Sequence, residues 1–323
     1  MKPGHETQPE NVYFYLAPLE GITTFIYRNI YREMFGGMDK YFTPFIAPTS
    51  SHNFKSRAKR DILPENNKGT PLVPQILTNH AEDFLYTAGR LREYGYKEVN
   101  LNLGCPSGTV VSKGRGAGFL AYPEELDRFL DAVYARSGMA LSIKTRLGKE
   151  KPEEFLEIIR IYNKYPVHEL TIHPRVQKDF YKNNPNWDIF ERALEVSKNP
   201  VCYNGDINTY EDYERFRERF PAVNRIMIGR GIITDPGLVR RIQTGKKLSE
   251  TECLTFMQKL CEAYHDIMPG EPTLYKMKEI WSYMCKRYPD GMKLWKKIKK
   301  AGNMSEYKNI MLSFCQKEHI VLQ

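Results

Sequence analysis

Three shortages narrow what this chain can be. Its six cysteines, at 105, 202, 253, 261, 285 and 315, include no Cys-x-x-Cys pair, and no Cys/His cluster has zinc spacing. The thiols therefore read as reduced and mostly structural, and no metal site is expected. No apolar run approaches the roughly 20 residues of a membrane span. Met1 to Glu10 is polar, without the apolar core of a signal peptide. A cytoplasmic protein with no membrane partner is expected. The third shortage is a Gly-x-Gly-x-x-Gly after the first apolar strand, which weakens a doubly wound dinucleotide-binding sheet. There is no internal repeat beyond a β/α unit and no low-complexity tract.

What is present is length, charge and alternation. The 323 residues are 41% hydrophobic and carry a formal charge of +9, with 48 Lys and Arg against 39 Asp and Glu. Such an excess points to a polyanionic partner. Short apolar segments bounded by turn residues read as strands at 12–17, 41–47, 72–77, 99–103, 140–145, 169–173, 201–204 and 225–228. Helical patterns lie between several of them, with Thr23, Asn79 and Pro123 as helix starts. The segment 52–68 reads as a polar, basic loop. Eight β/α units in about 240 residues predict an α/β protein, a (β/α)8 TIM barrel over residues 1–245. After Gly245 the strand signal stops. Helical segments predict a smaller all-helical C-terminal domain over 246–323.

In a barrel the C-terminal strand ends converge on one mouth. Strand ends here carry Gln75, Lys144, Arg146, His173, Arg175 and the run Asn204-Gly205-Asp206. The last strand leads into Gly229-Arg230-Gly231. Glycine turns let backbone N–H groups approach a phosphate, and Arg230 adds a charged donor. Cys105 sits on the turn Gly104-Cys105-Pro106, just past the strand 99–103, with the run 114–118 rich in glycine behind it. Together these residues describe a cradle for a planar phosphorylated cofactor.

Seven motifs in combination resemble the dihydrouridine synthases, flavin enzymes that reduce uridine in RNA. They are Leu16-Ala17-Pro18-Leu19-Glu20-Gly21, Pro74-Gln75, Asn100 through Pro106, Lys144-Thr145-Arg146-Leu147-Gly148, His173-Pro174-Arg175, Asn204-Gly205-Asp206-Ile207, and Met227 through Gly231. The resemblance runs from about Tyr15 to the chain end. It implies that FMN is held by Pro18, Leu19, Glu20, Gln75, Lys144, His173, Asn204, Gly205, Asp206, Gly229 and Arg230, and that Cys105 donates a proton. NADPH or NADH is the implied reductant and tRNA the implied partner, with ribosomal RNA as an alternative. The chain departs from the family at Val176-Gln177 and Asn183 through Asn186, where substrate would be gripped.

Saturating the uracil 5,6 bond needs a hydride at C6 and a proton at C5. No side chain gives hydride, so a cofactor must. A cysteine of ordinary pKa stays protonated near neutrality and can act as the acid. Asn102 is a further contact to substrate or flavin. Lys113, Arg115, Arg175, Lys178 and Lys182 are candidates to hold RNA phosphates. So are Lys296 and Lys297, within a stretch 276–300 that has nine basic residues against Glu279 and Asp290. Trp281, Tyr283, Tyr288 and Trp295 interleave with them. A monomer is expected. The rival readings are an FMN barrel reducing a free pyrimidine or enone, and a non-catalytic RNA-binding barrel.

Overall fold

The computed structural model describes residues 11–49 and 53–317. Nine parallel strands form one sheet: β1 (Tyr13–Leu16), β2 (Lys40–Phe42), β3 (Leu72–Val73), β4 (Gln75–Ile76), β5 (Glu98–Leu103), β6 (Ala140–Gly148), β7 (Leu170–Val176), β8 (Val201–Tyr203) and β9 (Arg225–Ile228). Their order is β3-β2-β1-β9-β8-β7-β6-β5-β4. The two outer strands are neighbours in the chain, parted only by Pro74. β3 pairs with β2, and β4 pairs with β5. The single strand expected over 72–77 is thus split where proline lacks an N–H. The Pro74 carbonyl still accepts the Asn100 N–H at 2.9 Å. With that break bridged, the sheet is an eight-stranded barrel.

Alternation along each strand sorts the side chains. On β5, Val99, Leu101 and Leu103 join the large core beneath the surrounding helices. Asn100 and Asn102, on the other face, point into the barrel. Tyr15, Ala17, Phe42, Val73, Cys202 and Met227 form a separate apolar cluster that fills the barrel interior. The outer helices include Phe25–Met34, Ala81–Glu93, Pro123–Arg136, Phe155–Tyr162, Trp187–Val196 and Tyr210–Arg219.

Local differences from the sequence reading have identifiable causes. The first helix is capped at Thr24, not Thr23. The Thr23 hydroxyl instead accepts the Leu19 N–H at 2.8 Å and braces the turn after β1. His80, not Asn79, precedes the second long helix. The Asn79 side chain donates to the Lys113 carbonyl and accepts from Arg115, each at 3.3 Å. The second strand stops at Phe42, ahead of Pro44. The basic loop holds a helix at Ser56–Ile62 and a 3-10 turn at Pro64–Asn67, while His52 lies outside the described residues. β6 and β7 run past their expected ends because they keep pairing up to Gly148 and Val176, with a register shift between Arg146 and Gly148.

Beyond residue 245 the described chain is helical: Glu250–Ile267, Glu271–Met284, Gly291–Lys300 and Met304–Lys317. Ser249 and Glu252 form a reciprocal capping box at the first of these. The tail is packed onto the barrel. Phe256 meets Tyr27 and Phe35 edge-on at 5.5 and 5.3 Å. The Thr24 and Tyr264 hydroxyls lie 2.8 Å apart. One hydrophobic cluster continues from the outer helix layer into the tail. No described helix is long and apolar enough to cross a membrane.

Candidate active site

Most of the inward positions at the C-terminal strand ends carry polar side chains, and these meet at the mouth. Two small adjoining compartments lie there. The larger, about 130 Å³, is lined by Pro18, Leu19, Glu20, Phe45, Gln75, Asn102, Gly104, Cys105, Pro106, Lys144, Arg146, His173 and Tyr181. The smaller, about 60 Å³, is lined by Ala17, Pro18, Leu19, Lys144, His173, Tyr181, Asn204, Gly205, Asp206, Gly229 and Arg230. Every residue that the sequence assigned to the cofactor borders one or both, and Cys105 borders the larger. Larger grooves lie among the tail helices, away from this chemistry.

An amide chain inside the barrel holds the cysteine turn. Asn100 Nδ2 donates to Ser142 Oγ at 2.9 Å, and Gln75 Nε2 donates to Asn100 Oδ1 at 2.8 Å. Asn102 Nδ2 then donates to Gln75 Oε1 at 2.7 Å. Asn102 Oδ1 accepts the backbone N–H of both Gly104 and Cys105 at 3.0 Å. This series fixes which way Gln75 and Asn102 face. Asn102 is therefore a support of the Cys105 turn as well as part of the compartment wall.

The opposite wall is cationic. Asp206 accepts from Arg175 Nη1 at 2.9 Å, from Arg175 Nη2 at 2.5 Å and from Arg230 Nη2 at 2.5 Å. The Arg230 guanidinium also lies 4.4 Å from the centre of the Tyr181 ring, and Arg146 approaches the same ring at 5.3 Å. Asn204 Nδ2 donates to the Met227 carbonyl at 2.8 Å, tying β8 to β9 below the two glycine turns. A Cβ on Gly205 would fall 1.9 Å from the Tyr203 hydroxyl, so this turn admits only glycine.

Charge and burial set the protonation states. Burial pushes the Cys105 thiol up, outweighing the pull of the Ser107 backbone and of Arg146 and Lys144. Burial first, then Arg146, lowers the Lys144 ammonium to about 8. Burial and the surrounding cations Arg146, Lys144, Arg175 and Arg230 hold His173 well below the usual histidine range. At neutral pH the thiol is protonated and the imidazole neutral.

The remaining predicted contacts are not at the mouth compartments. Lys113 is exposed, and Arg115 bonds Asn79; neither borders a compartment. Lys296 and Lys297 are exposed on the helix Gly291–Lys300, whose buried face is Leu294 and Ile298. Arg175 is a correction. It is 2% exposed, with its guanidinium on Asp206, His173 and the Asn183 carbonyl, so it is not free to take an RNA phosphate. Within 276–300, Lys276 donates to the Gly21 carbonyl at 2.6 Å and Lys278 to the Ala301 carbonyl at 2.6 Å. Arg287 pairs with Glu250 and Asp235. Trp281 is fully buried and donates to the Tyr307 hydroxyl, so it is a packing residue.

Sequence reasoning overlooked Tyr181 and undervalued Arg146. Arg146 is buried and donates to the carbonyls of Gly104, Val176 and Phe180 at 2.9, 2.9 and 2.7 Å. It thereby joins the cysteine turn to the loop carrying Tyr181. Gln177 makes a second tie, donating to the Pro106 carbonyl at 3.1 Å. Only the Lys-x-Arg spacing on β6, which puts both side chains on one face, signalled Arg146.

The profile of the dihydrouridine synthase family matches residues 15–319. A tRNA-dihydrouridine(16) synthase of Pseudomonas syringae pv. tomato is 30% identical over 298 residues, covering 88% of this chain and 93% of that one. A probable tRNA-dihydrouridine synthase of Staphylococcus aureus is 29% identical over 242 residues, 73% of each chain. Among solved structures, the old yellow enzyme homologue of Zymomonas mobilis superposes with a TM-score of 0.52 at 12% identity, over 76% of this chain and 94% of that chain. Morphinone reductase in complex with tetrahydroNAD matches at 0.50 and 14% identity, over 79% and 92%. These two likenesses establish the barrel alone. The family match extends over nearly the whole chain and takes in every strand-end motif around the mouth, and on that ground the chain belongs to the dihydrouridine synthase family.

Proposed function

We propose that this oxidoreductase reduces uridine in tRNA to 5,6-dihydrouridine with FMN as cofactor, NADPH or NADH as reductant and Cys105 as the proton donor. One observation carries the reading. A protonated thiol on the Gly104–Pro106 turn borders the same compartment as Gln75, Lys144 and His173.

The residues fit an anionic flavin. Lys144, Arg146, Arg175 and Arg230 surround the mouth, and Asp206 is committed to two of them. The Gly205 and Gly229 turns line the smaller compartment beside Arg230, and glycine turns let backbone N–H groups approach a phosphate. Pro18, Leu19, Glu20, Gln75, Lys144, His173 and Asn204 complete the cradle. Each compartment is smaller than the roughly 300–1,000 Å³ of common ligand sites. Tyr181 forms part of the wall they share and is 47% exposed at the mouth.

When bound, reduced FMN supplies the hydride that uracil takes at C6. Cys105 supplies the proton at C5, on the side where charge develops. Lys144 stabilises negative charge at the mouth, and Gln75 and Asn102 each keep a second amide N–H, beyond the one spent in their chain, to orient a planar ring by a hydrogen bond. The target base has to leave its stack to reach a site this recessed. The segment 246–323, helical in its described part, is the proposed RNA-binding region, with Lys293, Lys296, Lys297, Lys299 and Lys300 exposed on one helix.

The test is a visible flavin spectrum in the purified protein, followed by position-by-position mapping of dihydrouridine in tRNA from cells with and without the gene. Position 16 comes first, because two of the relatives are named for it. Loss of dihydrouridine at one tRNA position on deletion is expected. Unchanged tRNA, or a protein that cannot take up FMN, overturns the reading. Activity on free uracil but not on tRNA favours the small-substrate alternative.

A further inference from the structure

His173 lies on β7 and borders both compartments. Its Nε2 is 3.0 Å from Arg175 Nη1. A guanidinium only donates and stays charged. The contact therefore requires an unprotonated Nε2, with the Arg175 N–H pointing at its lone pair. Arg175 is itself held. Its Nη1 and Nη2 grip Asp206, and its Nε donates to the Asn183 carbonyl at 2.5 Å. Asp206 in turn is pinned by Arg230. A carboxylate, a guanidinium and an imidazole thus form one chain from the Arg230 turn to the centre of the mouth.

With Nε2 accepting, a neutral ring carries its proton on Nδ1. No hydrogen bond to Nδ1 is made by the described residues. A second proton would have to enter between Nε2 and the guanidinium. It would also face Lys144 and Arg146 from β6 and Arg230 from the segment after β9. Tyr181 tilts over the ring at 6.0 Å, and the nearby carboxylate, Asp206, is already shared by two arginines.

We propose that Arg175 is a positioning residue that fixes His173 as the neutral Nδ1–H tautomer, so that His173 offers the mouth a hydrogen-bond donor and does not act as a proton acid. The ligand atom it meets is then an acceptor, a carbonyl oxygen or a ring nitrogen lone pair. This removes His173 from the proton donors of the compartment and agrees with the role proposed above for Cys105. The use of the donor rests on the flavin reading proposed above, while the tautomer itself does not.

The experiment uses flavin-free, full-length protein labelled with 15N-histidine, followed by long-range 1H–15N correlation from about pH 5.5 to pH 8.5. His173 is assigned by the signals missing in His173→Gln. The expected wild-type result is a protonated Nδ1, an unprotonated Nε2 and no titration across the range. Arg175→Met should release the ring, either to the Nε2–H form or to a titration that appears within the range. Arg175→Lys, which keeps a donor, should retain Nδ1–H. Asp206→Asn gives a second variant, loosening Arg175 without removing it, and should broaden the ring signals or shift them toward the released state. An Nε2–H ring in the wild type, or an unchanged tautomer in both Arg175→Met and Asp206→Asn, overturns the proposal. No flavin or RNA enters this measurement, so its failure is distinguishable from failure of the dihydrouridine reading.

Discussion

The barrel carries buried charge at both ends, and the two ends treat it differently. At the N-terminal floor, Lys40 lies 2.9 Å from Glu98 and 4.0 Å from Glu169. Arg225 lies 3.3 Å from Glu169, and the Tyr15 hydroxyl donates to Glu169 at 2.8 Å. Cations and carboxylates are there in balance. At the mouth, Lys144, Arg146, Arg175 and Arg230 surround His173, and Asp206 pairs with only two of them, Arg175 and Arg230. The floor is neutralised internally and serves stability, whereas the mouth keeps an unspent positive charge. On the flavin reading proposed above, a bound anion completes it. The mouth therefore stands less stable alone than it could be, which is the usual state of a preorganised site.

The sharpest way to break this comparison is at Cys105. Cys105→Ala should lose reduction of tRNA by roughly 10²- to 10⁴-fold, the common contribution of a positioned general acid. Flavin content and reduction by nicotinamide should stay as in the wild type. Single-turnover reduction of tRNA by pre-reduced protein checks this, and near wild-type rates would remove the thiol from the mechanism.

At the floor, Lys40→Met removes the close partner of Glu98 while Glu169 keeps Arg225 and Tyr15, and it should cost about 3 kcal/mol of stability, the low end for a broken buried pair because Lys40 is partly exposed. Urea unfolding reads the loss. FMN affinity in that variant should not change, since the floor is remote from the mouth; a weakened affinity would mean the two ends are not independent.

Arg230→Ala should raise the FMN dissociation constant by roughly tenfold or more, for one charge-assisted bond to phosphate. Flavin titration followed by fluorescence checks it. Unchanged affinity would move the phosphate away from the Gly229–Arg230 turn.

Lys144→Met should weaken flavin yet steady the flavin-free protein at neutral pH, because it removes a buried cation crowded by Arg146. The sign follows from proton uptake. The folded lysine sits at about 8, below its ordinary 10.5. Between those values the unfolded chain binds more protons, so stability gained from this group rises with pH. Its pH-dependent contribution should vanish in the variant. A melting-temperature gain on the order of 2 °C per kcal/mol is expected below pH 8. A loss of stability there would contradict the picture of unspent charge.

The smallest effect on the barrel should come from the tail. Neutralising Lys296, Lys297, Lys299 and Lys300 together should flatten the salt dependence of tRNA binding, through fewer released counterions. Flavin affinity should be untouched. Filter binding across a salt series reads the slope, and an unaltered slope would return these lysines to an ordinary solvated face.

The β/α alternation, the barrel and the helical tail were legible in the sequence because they rest on local periodicity and turn residues. So was the ring of strand-end motifs, since a parallel barrel sends every C-terminal strand end to one face. Other features were set only when distant segments met. Pro74 reads as a strand interior until β2 and β5 claim its two sides. Asn79 reads as a helix cap, but Lys113 and Arg115, far along the chain, took its side chain. Arg175 reads as a phosphate grip, yet the fold buries it against Asp206 and His173. Tyr181 carries no motif, and its place between Arg146 and Arg230 comes from a loop folding back over the mouth. Chemistry confined to one strand or turn is written in neighbouring residues. Which charges are spent on each other, and which are left for a ligand, depends on distances between segments that only the closed barrel defines.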